Sequence, residues 1–278
     1  MNQKLANLRA DLGAMNRIIV AFSGGVDSAF LLKVAREELG ERAVAVIGIS
    51  PSLLPEELQD ARKVAQKIGA PLREVETHEI EDENYASNPT NRCYFCKSEL
   101  FDVLGNLAKN EGFDAVCDGT NLDDMKEWRP GAQAGSEKSV KSPLRDANLS
   151  KNEIRELSRE LGLPTWDKPA MPCLSSRIPY GQSVTREALH RIGRAEVWLR
   201  EKGLREVRVR HYLEGDAPQA RLEIAPAEME FALGFWSEIG PQLRQWGFES
   251  ILLDLEGYKR GKMNVKAKVE SAPVTLFL

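Results

Sequence analysis

Ser23-Gly24-Gly25-Val26-Asp27-Ser28 lies between an apolar, β-branched run, Arg17 to Phe22, and a helical pattern from Val26 to Leu39. A strand that turns through two adjacent glycines into a helix lets the backbone come close to a ligand. Several amide groups then point into one hollow at the positive end of the helix dipole. An oxyanion is the natural guest. Ser23 and Ser28 can add hydroxyl hydrogen bonds, whereas Asp27 makes sense beside a phosphate only if a divalent cation bridges the two. The competing reading is a tight strand-to-helix turn with a capping serine. The Gly-Lys-Ser/Thr ending of a P-loop is absent.

Outward from this loop the sequence alternates apolar strands with amphipathic helices. Ala43 to Ile49 and Leu72 to Val75 read as strands, Pro55 to Ile68 and Arg92 to Lys109 as helices, and Ala115 to Cys117 as a fourth strand. Continuous apolar strands separated by helices predict an α/β, doubly wound parallel sheet covered on both faces. Ligands of such sheets lie beyond the carboxyl ends of the strands. That rule selects Ser23 to Ser28, the segment from Ser50, and Asp118 to Asp124 as site loops. Ser50, Gly119 and Thr120 therefore join the five loop residues as candidate ligand contacts.

Further along, Trp128 to Ser142 is expected to be a mobile Gly-, Ser- and Lys-rich linker. Ser150 with Glu153 signals a capped helix at Lys151 to Leu161, and the proline-rich segment Pro164 to Gly181 reads as a loop. A helix at Arg186 to Lys202, strands at Glu206 to Tyr212 and Arg221 to Ala225, a helix at Ala227 to Trp246 and a strand at Ser250 to Asp254 then predict a smaller α+β domain. The expected division is 1–181, carrying the Cys173 loop, and 182–278 for substrate binding and oligomerisation.

The chain has 278 residues, 42% of them hydrophobic and 29% charged, with a formal net charge of −4. This is the balance of a folded soluble protein. The charge argues against a surface built to coat nucleic acid. No apolar run approaches the roughly 20 residues of a membrane span, and no secretory leader opens the sequence, so a cytoplasmic protein is expected. Four cysteines in such a chain suggest metal or redox chemistry before disulfides.

The hexapeptide SGGVDS resembles the PP-loop of the adenine nucleotide α-hydrolases, which split ATP between its α and β phosphates. Three further blocks narrow the resemblance: Gly119-Thr120-Asn121-Leu122-Asp123-Asp124, Ser142-Pro143-Leu144-Arg145, and Met171 to Gly181, which reads MPCLSSRIPYG. Together they resemble the LarE family of ATP-dependent sulfur transferases, from about residue 10 to residue 265. The resemblance implies ATP and Mg2+ as cofactors and a carboxylate activated as its adenylate. It implies pyridinium-3,5-biscarboxylic acid mononucleotide as the small-molecule substrate, its carboxylates becoming thiocarboxylates. It also implies a homo-oligomer with neither nucleic-acid nor membrane partners.

By the same resemblance Cys173 is the sulfur-bearing position. A thiolate displaces AMP from an acyl-adenylate and forms a thioester or thiocarboxylate. In some relatives that cysteine gives up its own sulfur. This chain adds Cys93 and Cys96, three apart on one helix face and in the first turn, where the dipole favours thiolates. With Cys173 they make three soft ligands, one short of the usual four for zinc or an iron–sulfur cluster. Relatives carrying all three resemble cluster-dependent enzymes that deliver hydrosulfide from a sulfide donor. A cluster on Cys93, Cys96 and Cys173, a sacrificial Cys173, and a zinc site all remain open. Cys117, inside an apolar strand, is expected to be a packing residue.

Arg208 and Arg210 alternate on a strand and face one side. Paired guanidiniums suit a phosphate or carboxylate, and a solvated strand face with Glu206 as partner is the plainer account. Arg177, four residues after Cys173, is a candidate contact to AMP or the substrate carboxylate. Asp123 and Asp124 suit either magnesium or turn capping, and Lys97 and Lys151 either phosphates or solvent. Glu196 resembles a site position only weakly. Trp166 and Tyr180 suit stacking on a pyridinium ring or core packing, and Gly257 to Lys262 is a basic turn. The rival readings are a tRNA thiolation enzyme, a nucleotide-responsive binding protein, and an amide-forming synthetase.

Overall fold

The computed structural model describes residues 2–126, 130–169 and 171–259. The chain forms two compact units, one of Met1–Asp82 with Asn91–Met171 and one of Glu83–Thr90 with Pro172–Leu278. Trp128 and the stretch from Arg260 to Lys262 lie outside the described residues. Among those described, no helix is long and apolar enough to cross a membrane.

The first unit runs α1 (Asn2–Gly13), β1 (Ile18–Ala21), α2 (Val26–Leu39), β2 (Ala43–Ile49), α3 (Pro55–Ile68) and β3 (Leu72–Glu76). After α4 (Glu83–Ala86), which belongs to the second unit, it resumes with α5 (Arg92–Glu111), β4 (Ala115–Cys117), α6 (Pro130–Glu137), α7 (Pro143–Asp146) and α8 (Lys151–Glu160). All strand pairings are parallel, in the order β3-β2-β1-β4. Side chains alternate across a strand, and here both sets are apolar. Ile18, Val20, Ala45 and Ile47 pack with α1, α2 and α8, whereas Ile19, Val44, Val46 and Val116 pack with Phe101 and Leu104 of α5. That arrangement buries both faces and fixes the doubly wound α/β architecture.

The segment expected to be a mobile linker contains α6 instead. Gly131 permits close packing on α5, since a Cβ there would lie 3.0 Å from Lys97 Cγ, and Gly135 faces the Phe101 ring. Val140 and Lys141 then hydrogen-bond to Gly135 and Val116, so the chain rejoins β4 directly.

The second unit holds α9 (Arg186–Glu201), β5 (Val207–Glu214), β6 (Ala217–Ile224), α10 (Met229–Leu233), α11 (Trp236–Gln245) and β7 (Ser250–Leu253). β6 pairs antiparallel with β5 and parallel with β7. Leu199 of α9, Val207, Val209, Leu222 and Ile224 of the sheet, and Ile239 and Leu243 of α11 form its core. The single helix expected at Ala227 to Trp246 is two helices, interrupted at Gly234–Phe235.

The division expected at 182 falls at Pro172, which sets the Cys173 loop with the second unit. Hydrogen bonds account for the difference. The Tyr85 hydroxyl of α4 meets Ser175 Oγ at 2.6 Å, and Asn88 Nδ2 donates to the carbonyls of Pro179 (2.7 Å) and Gln182 (2.9 Å). Below them, the fully buried Arg177 side chain is locked to Glu196 of α9.

α8 carries the expected capping box: Ser150 Oγ accepts from the Glu153 amide, and the Glu153 side chain accepts from the Ser150 amide. Lys4 of α1 donates to both Glu153 oxygens at 2.8 and 2.9 Å. Lys4, followed by the Ser150 hydrogen bonds, holds the Glu153 carboxyl down to about 2. The unfolded chain therefore binds the proton first as pH falls, and the stabilisation present above the ordinary glutamate value is lost on descent toward about 2. Glu153→Gln should flatten the rise in melting temperature across that acid window, a difference read from paired thermal scans.

Candidate active site

β1 ends at Ala21, and the chain turns through Gly24, at φ +68°, into α2. A Cβ at Gly24 would lie 2.8 Å from the Ala61 Cβ of α3. Across the sheet, a Cβ at Gly119 would lie 2.9 Å from the Ser28 amide nitrogen. The loop is thus clamped from two sides at positions that have no room for a side chain. Gly25 is the N-cap of α2 and brings no side-chain cap, so the helix presents its first amides uncapped by side chain. Ser23 Oγ and Ser28 Oγ lie 3.1 Å apart, and the Ser23 amide donates to Ser28 Oγ at 3.2 Å.

A cavity of about 170 Å³ opens at this helix end, lined by Ser23, Gly25, Asp27, Glu57, Lys151 and Lys168 among others. The Asp27 carboxylate accepts from the Lys151 ammonium and, at 3.3 Å, from Asn121 Nδ2. Lys168 pairs with Glu57 at 3.1 Å. The donors of the pocket are backbone amides, hydroxyls and two ammonium groups, the set that holds phosphates. Asp27, the carboxylate carried by the loop and helix start, fits Mg2+, which uses one or two carboxylates together with phosphate oxygens and water; Glu57 is the second carboxylate of the lining.

Ser50, at the carboxyl end of β2, pairs its hydroxyl with Ser52 at 2.8 Å. Beyond β4, Thr120 Oγ1 and Ser142 Oγ donate to Asp118 at 2.6 and 2.8 Å. A second cavity, of about 180 Å³, is lined there by Asp118, Thr120, Gln133, Ser142 and Arg145. Asp123 and Asp124 serve the chain turn: Asp123 accepts from the Lys151 amide at 2.8 Å, and Asp124 from the Asn121 amide at 3.0 Å.

Cys173 is exposed and caps a short 3-10 turn, Leu174–Arg177. Its carbonyl accepts from Ser176 Oγ at 2.8 Å and from Arg177 Nη1 at 2.9 Å. Arg177, fully buried, grips Glu196 through Nε at 2.9 Å and Nη2 at 2.8 Å. Arg200 Nη2 and the Val209 amide also donate to Glu196, at 2.6 and 3.1 Å. Burial works against both charges, yet their mutual attraction prevails: Arg177 holds its proton more firmly and Glu196 stays below the usual carboxylate range.

Arg210 donates to Glu223 at 2.9 and 2.7 Å and to the Ser176 carbonyl at 2.9 Å. Its acidic partner is therefore the cross-strand Glu223 and not Glu206. Arg208, also buried, donates to the Val207 carbonyl and lies 4.9 Å over the Tyr258 ring. Burial, and then the like charge of Arg177, lowers its affinity for a proton. The second unit thus gathers Arg177, Arg208 and Arg210 around the Cys173 turn, with Arg177 and Arg210 bracing it through its carbonyls.

Cys93 is exposed and Cys96 half-buried in the first turn of α5. Cys117 is wholly buried, and burial pushes its thiol up to about 12, which suits packing and not metal binding. Two accessible thiols one helical turn apart, plus the exposed Cys173, are chemically apt donors for a soft metal or cluster. Among the described residues no group of three or more His, Cys, Asp or Glu is assembled to hold a metal ion. Lys168 and Glu57 escaped the sequence reading. The signal was present in Lys168-Pro169, just ahead of the Cys173 block, but nothing in that spacing tied it to a helix end.

Residues 3–95 match the NAD synthase family. An uncharacterised protein of Synechocystis sp. is 48% identical over 95% of this chain and 98% of its own length. Pyridinium-3,5-bisthiocarboxylic acid mononucleotide synthase of Lactiplantibacillus plantarum is 36% identical over 94% of each chain. A tRNA-specific 2-thiouridylase of Desulforamulus reducens is 25% identical over 57% of this chain and 54% of its own. The chain belongs to the LarE family of ATP-dependent sulfur transferases.

Two substitutions test this geometry. Gly24→Ala forces a side chain against Ala61 in a backbone conformation that alanine resists, and should weaken nucleotide binding at least tenfold in a calorimetric titration. Arg177→Met leaves the buried Glu196 carboxylate to Arg200 and the Val209 amide alone and should cost roughly 1.5–3 kcal/mol in denaturant unfolding.

Proposed function

We propose that this chain uses ATP to activate the carboxylates of pyridinium-3,5-biscarboxylic acid mononucleotide and converts them to thiocarboxylates, with sulfur delivered at Cys173. The observation that carries the reading is 36% identity, over nearly the whole chain, to a synthase of the bisthiocarboxylic product. The cavity at the amino end of α2 and the exposed Cys173 on its braced turn support it.

The steps follow from the groups present. Ser23, Gly24, Gly25 and Ser28 cradle the phosphates, Asp27 shares Mg2+ with them, and Ser50, Gly119 and Thr120 flank the nucleotide. A substrate carboxylate oxygen attacks the α-phosphorus, the bond to the β-phosphate bridging oxygen breaks, and pyrophosphate leaves. The acyl-adenylate has a good leaving group, which an oxygen anion of the free acid lacks. A sulfur nucleophile then adds to the acyl carbon and AMP departs. Arg208 of β5 supplies positive charge for an anionic substrate, whereas Arg177 and Arg210, buried and ion-paired with Glu196 and Glu223, hold the Cys173 turn in place.

Sulfur reaches position 173 by one of two routes. If Cys173 gives up its own sulfur, its thiolate forms a thioester. A base then removes the Cα proton, the Cβ–S bond breaks, and thiocarboxylate leaves with dehydroalanine behind. Cys93, Cys96 and Cys173 would otherwise hold an iron–sulfur cluster, which when bound would supply sulfide taken from an external donor. The added Cys93 and Cys96 favour this second route.

Anaerobically purified protein given ATP, Mg2+, sulfide and the biscarboxylate should release pyrophosphate and form thiocarboxylate repeatedly. Cys173→Ala should still release pyrophosphate while losing at least 100-fold in thiolated product, measured by mass spectrometry. Iron and acid-labile sulfide in the protein support the cluster, whereas loss of one hydrogen sulfide equivalent per chain supports sacrifice. Thiolated tRNA in place of the nucleotide product would overturn the reading.

A further inference from the structure

Two ammonium groups face the cavity at the amino end of α2, and each is matched there by a carboxylate: Lys151 by Asp27, and Lys168 by Glu57. Lys151 has a counterpart in the magnesium chemistry, since Asp27 is the carboxylate that would share the cation. Lys168 and Glu57 have no such role. Resting on the ATP reading above, we propose that Lys168 binds the β- and γ-phosphates of the nucleotide, and that Glu57, its partner at 3.1 Å, must release it when the triphosphate arrives.

The backbone around Lys168 is built to keep it there. Its amide donates to the Thr165 carbonyl at 3.0 Å, and its carbonyl accepts from Arg155 Nη2 at 2.9 Å. Arg155 Nη1 donates to the Trp166 carbonyl at 2.7 Å. Arg155 belongs to α8, the helix whose first residue is Lys151. One helix therefore sets both cations of the pocket, Lys151 directly and Lys168 through the segment that Arg155 clamps. With the backbone fixed, the freedom left to Lys168 is its flexible four-carbon stem, which allows the ammonium to leave one acceptor for another nearby.

Glu57 is placed to stay behind. It lies in the first turn of α3, where the helix dipole stabilises a carboxylate without any cation. Lys168 and Glu57 are each about one-fifth exposed, so the pair is partly screened and weak enough to exchange. A doubly charged terminal phosphate outcompetes a single carboxylate for the same ammonium. Once Lys168 has moved, the Glu57 carboxylate remains beside a polyanion and opposes its binding. It thus acts as a built-in brake that also favours departure of pyrophosphate.

The test is a calorimetric titration of the full chain with Mg2+ and α,β-methylene-ATP, which cannot be split at the reacting bond, and separately with AMP. Lys168→Met should weaken the triphosphate analogue about tenfold and leave AMP affinity unchanged. Glu57→Gln should tighten the analogue about threefold. That gain should vanish in the double variant, because no lysine remains to be released. Glu57→Gln keeps Lys168 in place and carries the test should Lys168→Met lower the melting temperature. Wild-type affinity for the analogue in Lys168→Met, equal losses for AMP and the analogue, or no gain from Glu57→Gln would overturn the proposal. A wild-type chain that binds neither nucleotide would instead overturn the ATP reading on which it stands.

Discussion

The close approach of backbone to backbone at Gly24 and Gly119 is the constraint on which the proposed nucleotide pocket depends. Gly24 lies against Ala61 of α3, and Gly119 against the Ser28 amide of α2. Each contact leaves no room for a Cβ, so the loop is held at once by α3 on one side and by the segment that follows β4 on the other. Because the loop cannot drift, the amides at the start of α2, the two serine hydroxyls and Asp27 keep a common orientation toward one hollow. A preorganised set of donors of this kind gains its advantage by having little left to rearrange when charge arrives. The parallel sheet provides the frame: with both faces packed, its strand ends are fixed relative to one another.

The second unit solves a different problem, that of keeping an exposed sulfur still. A solvent-facing cysteine on a proline-rich segment would ordinarily wander. Here the carbonyls of Pro172 and Cys173 accept from Arg177, that of Ser176 from Arg210, and those of Pro179 and Gln182 from Asn88. The braces are themselves buried and ion-paired, Arg177 with Glu196 and Arg210 with Glu223. Ion pairs in such surroundings contribute little net stability compared with apolar packing, while loss of either partner is severe. Their value lies in a unique geometry for the turn.

Much of the first unit was legible because its signals are local. Ile18 to Ala21, Val26–Leu39 and the Ser150/Glu153 cap each announce themselves within a few residues, and SGGVDS carries its own chemistry. What the sequence hid was pairing over distance. Residues 130–137 read as a flexible linker because glycines usually loosen a chain, yet Gly131 is the position that lets α6 settle closely on α5. Arg177 and Arg210 could be picked out as functional arginines, but their partners Glu196 and Glu223, 19 and 13 residues away, follow only from the register of β5 with β6 and from the placement of α9. The division at Pro172 was hidden for the same reason: nothing near Gly181 says that Tyr85 and Asn88 will reach forward to claim the loop.

The link from Lys4 to Glu153 carries the influence of α1 into the pocket. Lys4 belongs to α1, and through Glu153 it secures the cap of the helix that presents Lys151 to Asp27. A change at Lys4 therefore acts on a chain of contacts that ends at the proposed phosphate pocket, although Lys4 is no part of that pocket's lining.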